Sequence, residues 1–96
     1  MAKLKIGVFG AHRGKTMMEQ LYGHPDAELV AVCDKYVPAL EEVRKIAEEH
    51  GVTLALYERF EDFIRHDMDA VVLANYANEH AVFAVKCLEA GKHVMS

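Results

Sequence analysis

The chain has 96 residues, enough for one core and too few for a second domain. Hydrophobic residues make up 52% and charged residues 27%, which excludes a disordered chain; a net charge of −4 with few, scattered aromatics excludes a basic nucleic-acid surface. No stretch approaches the roughly 18 apolar residues needed to cross a bilayer, and Met1–Gly10 lacks the form of a signal peptide, so no membrane role and a cytoplasmic location are expected.

Strand and helix signals alternate along the whole chain. "KLKIGVF" reads as a buried first strand ending at Gly10. "KTMMEQLYG" offers a helical face of Met17, Met18, Leu21 and Tyr22 closed by Gly23, and His24-Pro25-Asp26 reads as a turn. "ELVAVCD" is a near-continuous apolar strand of the kind buried on both faces of a parallel sheet. The clearest helix follows, with Pro38 in its first turn, Leu40, Val43, Ile46 and Ala47 on one face and Gly51 as its cap. "VTLALY" predicts a third strand, "ERFEDFIRH" a short helix packed through Phe60, Phe63 and Ile64, and "DAVVLAN" a fourth strand. From Asn78 to Ala90 a last helix carries Ala81, Val82, Val85 and Leu88, Gly91 stops it, and "KHVMS" begins a fifth strand.

This succession predicts an α/β fold: a Rossmann-like doubly wound parallel sheet of order 3-2-1-4-5, truncated at its fifth strand. An uncovered fifth strand is a template for pairing with another chain, so a homodimer through that edge or by element exchange is expected. Cys33 and Cys87 lie within apolar segments and read as buried structural thiols. The histidines show no metal-ligand spacing on a common face, and no serine or cysteine has the setting of an activated nucleophile, so neither a metal nor a catalytic residue is assigned.

"GVFGAHRGKT" resembles two phosphate-binding loops and is one residue short of each. As a Walker A loop it ends in Gly14-Lys15-Thr16, but Phe9 stands where the first glycine belongs. As a dinucleotide loop, Gly10 makes the tight turn and Gly14 lets helix and strand pack, while the second glycine is missing near Ala11 and His12. Alanine crowds a pyrophosphate little; histidine crowds it or, when protonated, attracts it. A plain strand-to-helix turn that binds nothing is the third reading. Asp34 favours the dinucleotide loop, because it ends the second strand about 20 residues beyond Gly14, where an acid accepts the adenosine ribose hydroxyls. Its charge favours NAD over NADP, and Lys35 beside it weakens that preference and leaves NADP open.

The segment "DAVVLANYANEHAVFAVKCLEAGKHVMS" closely resembles the end of the cofactor domain in the glucose–fructose oxidoreductase, inositol dehydrogenase and MocA (Gfo/Idh/MocA) oxidoreductases. Asp69, His80 and Leu88 to Val94 carry the match, and "HPDAELVAVCD" resembles that family's second strand. Asn75-Tyr76 depart from the family's Thr-Pro turn after the fourth strand. The resemblance implies a parent enzyme that moves hydride between a nicotinamide cofactor and a sugar, polyol or related hydroxyl carbon. It makes residues 1–96 the dinucleotide-binding domain of a longer two-domain oxidoreductase, before the Glu-Lys-Pro lysine motif and the substrate domain, and so not catalytic by itself. The cofactor-binding set expected from the loop, the strand ends and the resemblance together is Gly10, Ala11, His12, Arg13, Gly14, Asp34, Lys35, Asn75, Tyr76 and His80. The alternative is a Rossmann-like module that has lost its cofactor and self-associates through the open edge.

Overall fold

The structure is a computed structural model that describes residues 4–11, 15–22, 24–74 and 80–95. Among these residues five strands and four helices alternate: β1 (Leu4–Phe9), α1 (Lys15–Leu21), β2 (Ala27–Cys33), α2 (Val37–Glu49), β3 (Ala55–Tyr57), α3 (Phe60–Phe63), β4 (Ala70–Leu73), α4 (His80–Glu89) and β5 (His93–Met95). All strand pairings are parallel, and the sheet order is β3-β2-β1-β4-β5, as the alternation predicts.

Each face of the sheet carries its own core. Ile6 and Val8 of β1 meet Met18 and Leu21 of α1 and Leu40 and Val43 of α2 on one face. On the other, Phe9, Cys33, Val71 and Leu73 meet Phe60, Phe63 and Cys87 from the side of α3 and α4. Phe9 is the hub of that second core, with ring centroids 5.0 Å from Phe60 and 4.6 Å from Phe83, the latter edge-on.

The register of β2 explains how one strand serves both cores. Ile6 pairs with Leu29, but Gly7 pairs with Ala31, so Val30 is an extra residue in β2. A bulge of this kind shifts the two-residue side-chain period by one. Ala27, Leu29 and Val32 therefore all face the α1–α2 core, while Ala31 and Cys33 face the α3–α4 core. Because β2 is apolar on both sides of the bulge, from Leu29 to Cys33, its sequence gives no sign of the shift.

Three elements differ from the sequence expectation. β3 is three residues long because Val52 is used elsewhere: its N–H donates to the Ala47 carbonyl at 2.8 Å, closing α2 over Gly51, whose φ is +72°. α3 holds only one turn, since Arg65 and His66 fold back on Asp62 and Phe63 in tighter i−3 bonds. The third difference is the buried side of α4. Phe83, Ala84 and Cys87 pack on the sheet, whereas Val82, Val85 and Leu88, which the sequence reading groups together, are 57%, 53% and 63% exposed.

The "AGKH" run has a structural job. Gly91 adopts φ +78°, and the Lys92 N–H reaches back to the Cys87 carbonyl at 3.0 Å, which closes α4 in a Schellman turn. The Lys92 ammonium then donates to the Met68 carbonyl at 3.3 Å, fixing the start of β5. Lys92 thus lies at the amino end of the sheet.

Two tests follow from the packing. A Cβ on Gly7 meets Met68 Sδ and lies 2.9 Å from the Phe63 ring, so Gly7→Ala overpacks the α3 side. Its denaturant midpoint is expected to fall, corresponding to about 1–3 kcal/mol, with an unchanged m-value; an unchanged midpoint contradicts this packing. Burial, reinforced by the neighbouring Asp34 carboxylate, pushes the Cys33 thiol up to about 12. In the folded protein Cys33 is therefore expected to resist a thiol reagent at about pH 8 and to react once unfolded, and rapid labelling of the folded chain refutes its burial.

Candidate functional site

In a parallel sheet the strands all end on the same side, and ligands of such folds bind beyond those carboxyl ends. Here the ladder continues one residue past each central strand. The Gly10 N–H donates to the Cys33 carbonyl at 2.9 Å, the Ala74 N–H to the Phe9 carbonyl at 2.8 Å, and the Asp34 N–H to the Tyr57 carbonyl at 3.1 Å. The residues just beyond β1, β2 and β4 are thereby fixed relative to one another before any loop begins.

Gly10 has φ +107°, a backbone state that side chains rarely permit, so its lack of a Cβ is what lets the chain turn off β1. Ala11 follows and is buried at 1% exposure. Its N–H donates to Asp34 Oδ2 at 2.9 Å. The other carboxylate oxygen, Oδ1, accepts the Tyr36 N–H at 2.9 Å. The Tyr36 carbonyl in turn receives the first bonds of α2, from Ala39 at 3.1 Å and Leu40 at 3.4 Å. One half-buried carboxylate therefore ties the turn after β1 to the start of α2.

A carboxylate offers about four lone-pair positions, and these two backbone donors occupy one on each oxygen. Beyond these donors of the described residues, its acceptor capacity suits a pair of adjacent hydroxyl donors. Around the acid, Lys35 is exposed and Tyr36 and Val37 expose 66% and 43% of their surfaces.

Of the residues expected from the sequence to bind cofactor, the structure brings Gly10, Ala11 and Asp34 into direct contact and sets Lys35 next to them. His12, Arg13, Gly14, Asn75 and Tyr76 lie outside the described residues. His80 is the first residue of α4, and its side chain lies outside what is described. Sequence reasoning missed Tyr36, whose backbone N–H shares the Asp34 carboxylate and which is exposed. The one available signal was its spacing, two residues beyond an acid, where aspartate side chains commonly bond the backbone N–H.

A cavity of about 270 Å³ opens at the opposite, amino end of β2, lined by Leu21, Tyr22, Glu28, Val30, Val52 and Thr53, and takes no part in this site. Among the described residues no group of three or more His, Cys, Asp or Glu side chains is placed to hold a metal. Among the same residues no helix is long and apolar enough to cross a membrane.

The chain resembles known proteins over nearly its whole length. It is 33% identical over 92 residues to an inositol 2-dehydrogenase of Rhizobium meliloti, covering 95% of this chain and 26% of that protein. It is 30% identical over 98 residues to a glycosyl hydrolase family 109 protein of Bacteroides thetaiotaomicron, covering 95% of this chain and 21% of the other. Its fold superposes, with a TM-score of 0.84 and 31% identity, on the scyllo-inositol dehydrogenase of Lactobacillus casei crystallised with NAD(H) and scyllo-inositol, covering 97% of this chain and 27% of that one. The chain thus spans about a quarter of the length of these relatives. A family model described as an oxidoreductase family with an NAD-binding Rossmann fold matches residues 4–96, and the chain belongs to that family, the Gfo/Idh/MocA oxidoreductases.

Proposed function

We propose that the chain binds a nicotinamide dinucleotide through its adenosine half, NAD in preference to NADP, as the cofactor domain of an oxidoreductase acting on a sugar, polyol or related hydroxyl group. The observation that carries this reading is the Asp34 carboxylate, held at the carboxyl end of β2 with one backbone donor from the described residues on each oxygen. Two vicinal ribose hydroxyls match that pair of oxygens, and a 2′-phosphate in place of one hydroxyl meets a negative charge with no proton to donate. Gly10 fits the group as well, since its positive φ turns the chain away from β1 without a side chain over the site.

The described residues do binding work. Asp34 accepts the ribose, Gly10 and Ala11 shape the turn that leads to the diphosphate, and Lys35 moderates the preference against an added phosphate. When bound, the nicotinamide ring supplies or takes up a hydride. The acid–base group and the substrate surface belong, in this reading, outside these 96 residues. The relatives' greater length supports that division.

A second reading, compatible with the first, is that two copies associate along the β5 edge. The exposure of Val82, Val85 and Leu88 on α4, beside that edge strand, favours it. Sedimentation across a wide concentration range is expected to show a dimer that Val85→Asp dissociates; a monomer throughout contradicts it.

The cofactor reading is tested by titrating NADH and NADPH by fluorescence. NADH is expected to bind with micromolar to millimolar affinity and more tightly than NADPH. Asp34→Ala is expected to weaken NADH about tenfold or more and to narrow the gap between the two. No binding of either at millimolar concentration refutes the reading for this chain.

A further inference from the structure

We propose that the cleft at the amino end of β2 is a second binding site, one that takes a small organic cation with a single-ring apolar body. The cleft exists because β3 starts late. β2 pairs with β3 only from Ala31 to Cys33, so no strand of the described residues runs along the outer side of Ala27–Val30. The chain leading into β3 is held away from that stretch, because the Val52 N–H closes α2 and Gly51 turns at φ +72°. The end of α1 and the residue after it add Leu21 and Tyr22 to the lining.

Volume sets the size of the ligand. The cleft holds about 270 Å³. Pockets for drug-sized molecules run from roughly 300 to 1,000 Å³, while an interior cavity of about 150 Å³ is enough for a benzene ring. One ring with a short arm fits here, and a dinucleotide does not. The site is thus separate from the cofactor end of the sheet in size as well as in place.

The lining sets the charge. Glu28 is the one charged residue among the described residues that line the cleft, and it is exposed there. Lys5, its partner across the β1–β2 ladder, binds Asp67 through its ammonium at 2.6 Å. A second acid acts at the same place: burial first, and the Glu19 carboxylate after it, push the Tyr22 phenol up, so the hydroxyl stays protonated at neutral pH. His50 stacks on the Tyr22 ring, with centroids 4.5 Å apart and planes 12° from parallel, which holds that ring at the cleft. An ammonium gains both from a carboxylate and from an aromatic ring beside it. Leu21, Val30 and Val52 give its apolar body contact. An anion meets Glu28 with no lysine or arginine among the described lining residues to offset the repulsion.

Three ligands of one shape separate charge from size: 2-phenylethylamine, 2-phenylethanol and phenylacetate. Each is titrated into the isotope-labelled chain and followed by NMR. With the amine, the amides of Tyr22, Glu28, Val30, Val52 and Thr53 are expected to shift and saturate, while those of Gly10, Asp34 and Tyr36 stay in place. The amine is expected to bind about tenfold more tightly than the alcohol, and the carboxylate more weakly than either. Glu28→Gln keeps the size and removes the charge at an exposed position. It is expected to weaken the amine several-fold and to leave the alcohol unchanged. No saturable shift of these amides with the amine overturns the site. Like affinity for all three ligands overturns the cation assignment, and so does Glu28→Gln if it leaves the amine unaffected or weakens amine and alcohol equally. The outcome is independent of the cofactor reading, since the two sites share neither residues nor ligands.

Discussion

The interaction on which the site depends is the pair of hydrogen bonds from Ala11 and Tyr36 to one carboxylate. Everything around it is arranged to make that pair form. The buried β1 and β2 strands bring Gly10 beside Cys33, the bulge at Val30 sends Cys33 into the α3–α4 core, and Asp34 emerges as the next residue, its own N–H fixed to β3. A carboxylate half removed from water needs donors, and among the described residues the backbone N–H groups of Ala11 and Tyr36 supply them.

The sheet supplies rigidity and the helices supply its cover, but the cover is uneven. α1 and α2 close one face over β1, β2 and β3, and α3 and α4 close the other through the Phe9, Phe60, Phe63 and Phe83 cluster. Gly7 shows how close that second layer approaches, since no side chain fits between β1 and Phe63. At the far side, β5 is an edge, and α4 beside it presents Val82, Val85 and Leu88 to solvent. Surface of that composition is costly in water, which is the ground for the association proposed above.

Much of the fold was legible in the sequence because strand and helix signals alternate with short turns, and a parallel sheet of order 3-2-1-4-5 follows from handedness. The misreadings came where one signal served two purposes. Val52 is apolar and β-branched, yet its N–H closes α2, so β3 begins later than the apolar run. In α4 nearly every residue is apolar, so periodicity did not distinguish the packed side, Phe83 and Cys87, from the open side. The tail motif marked the family correctly, but its residues build a helix stop and a strand start at the amino end of the sheet. At the site, Asp34 was legible from its spacing after the glycines. Its bond to Ala11 was not, because it joins residues 23 apart through geometry that only the β1–β2 pairing creates.

The central claim is that the carboxyl ends of β1 and β2, organised by Asp34, receive the adenosine half of a nicotinamide dinucleotide. Its most direct test is an NMR titration of the labelled chain with NAD. The account predicts saturable shifts concentrated on the amides of Gly10, Ala11, Asp34, Lys35 and Tyr36, with the amino-end residues Glu28, Thr53 and Lys92 unmoved. Shifts confined to the amino end or to α4 and β5, or no shifts at millimolar NAD, contradict it.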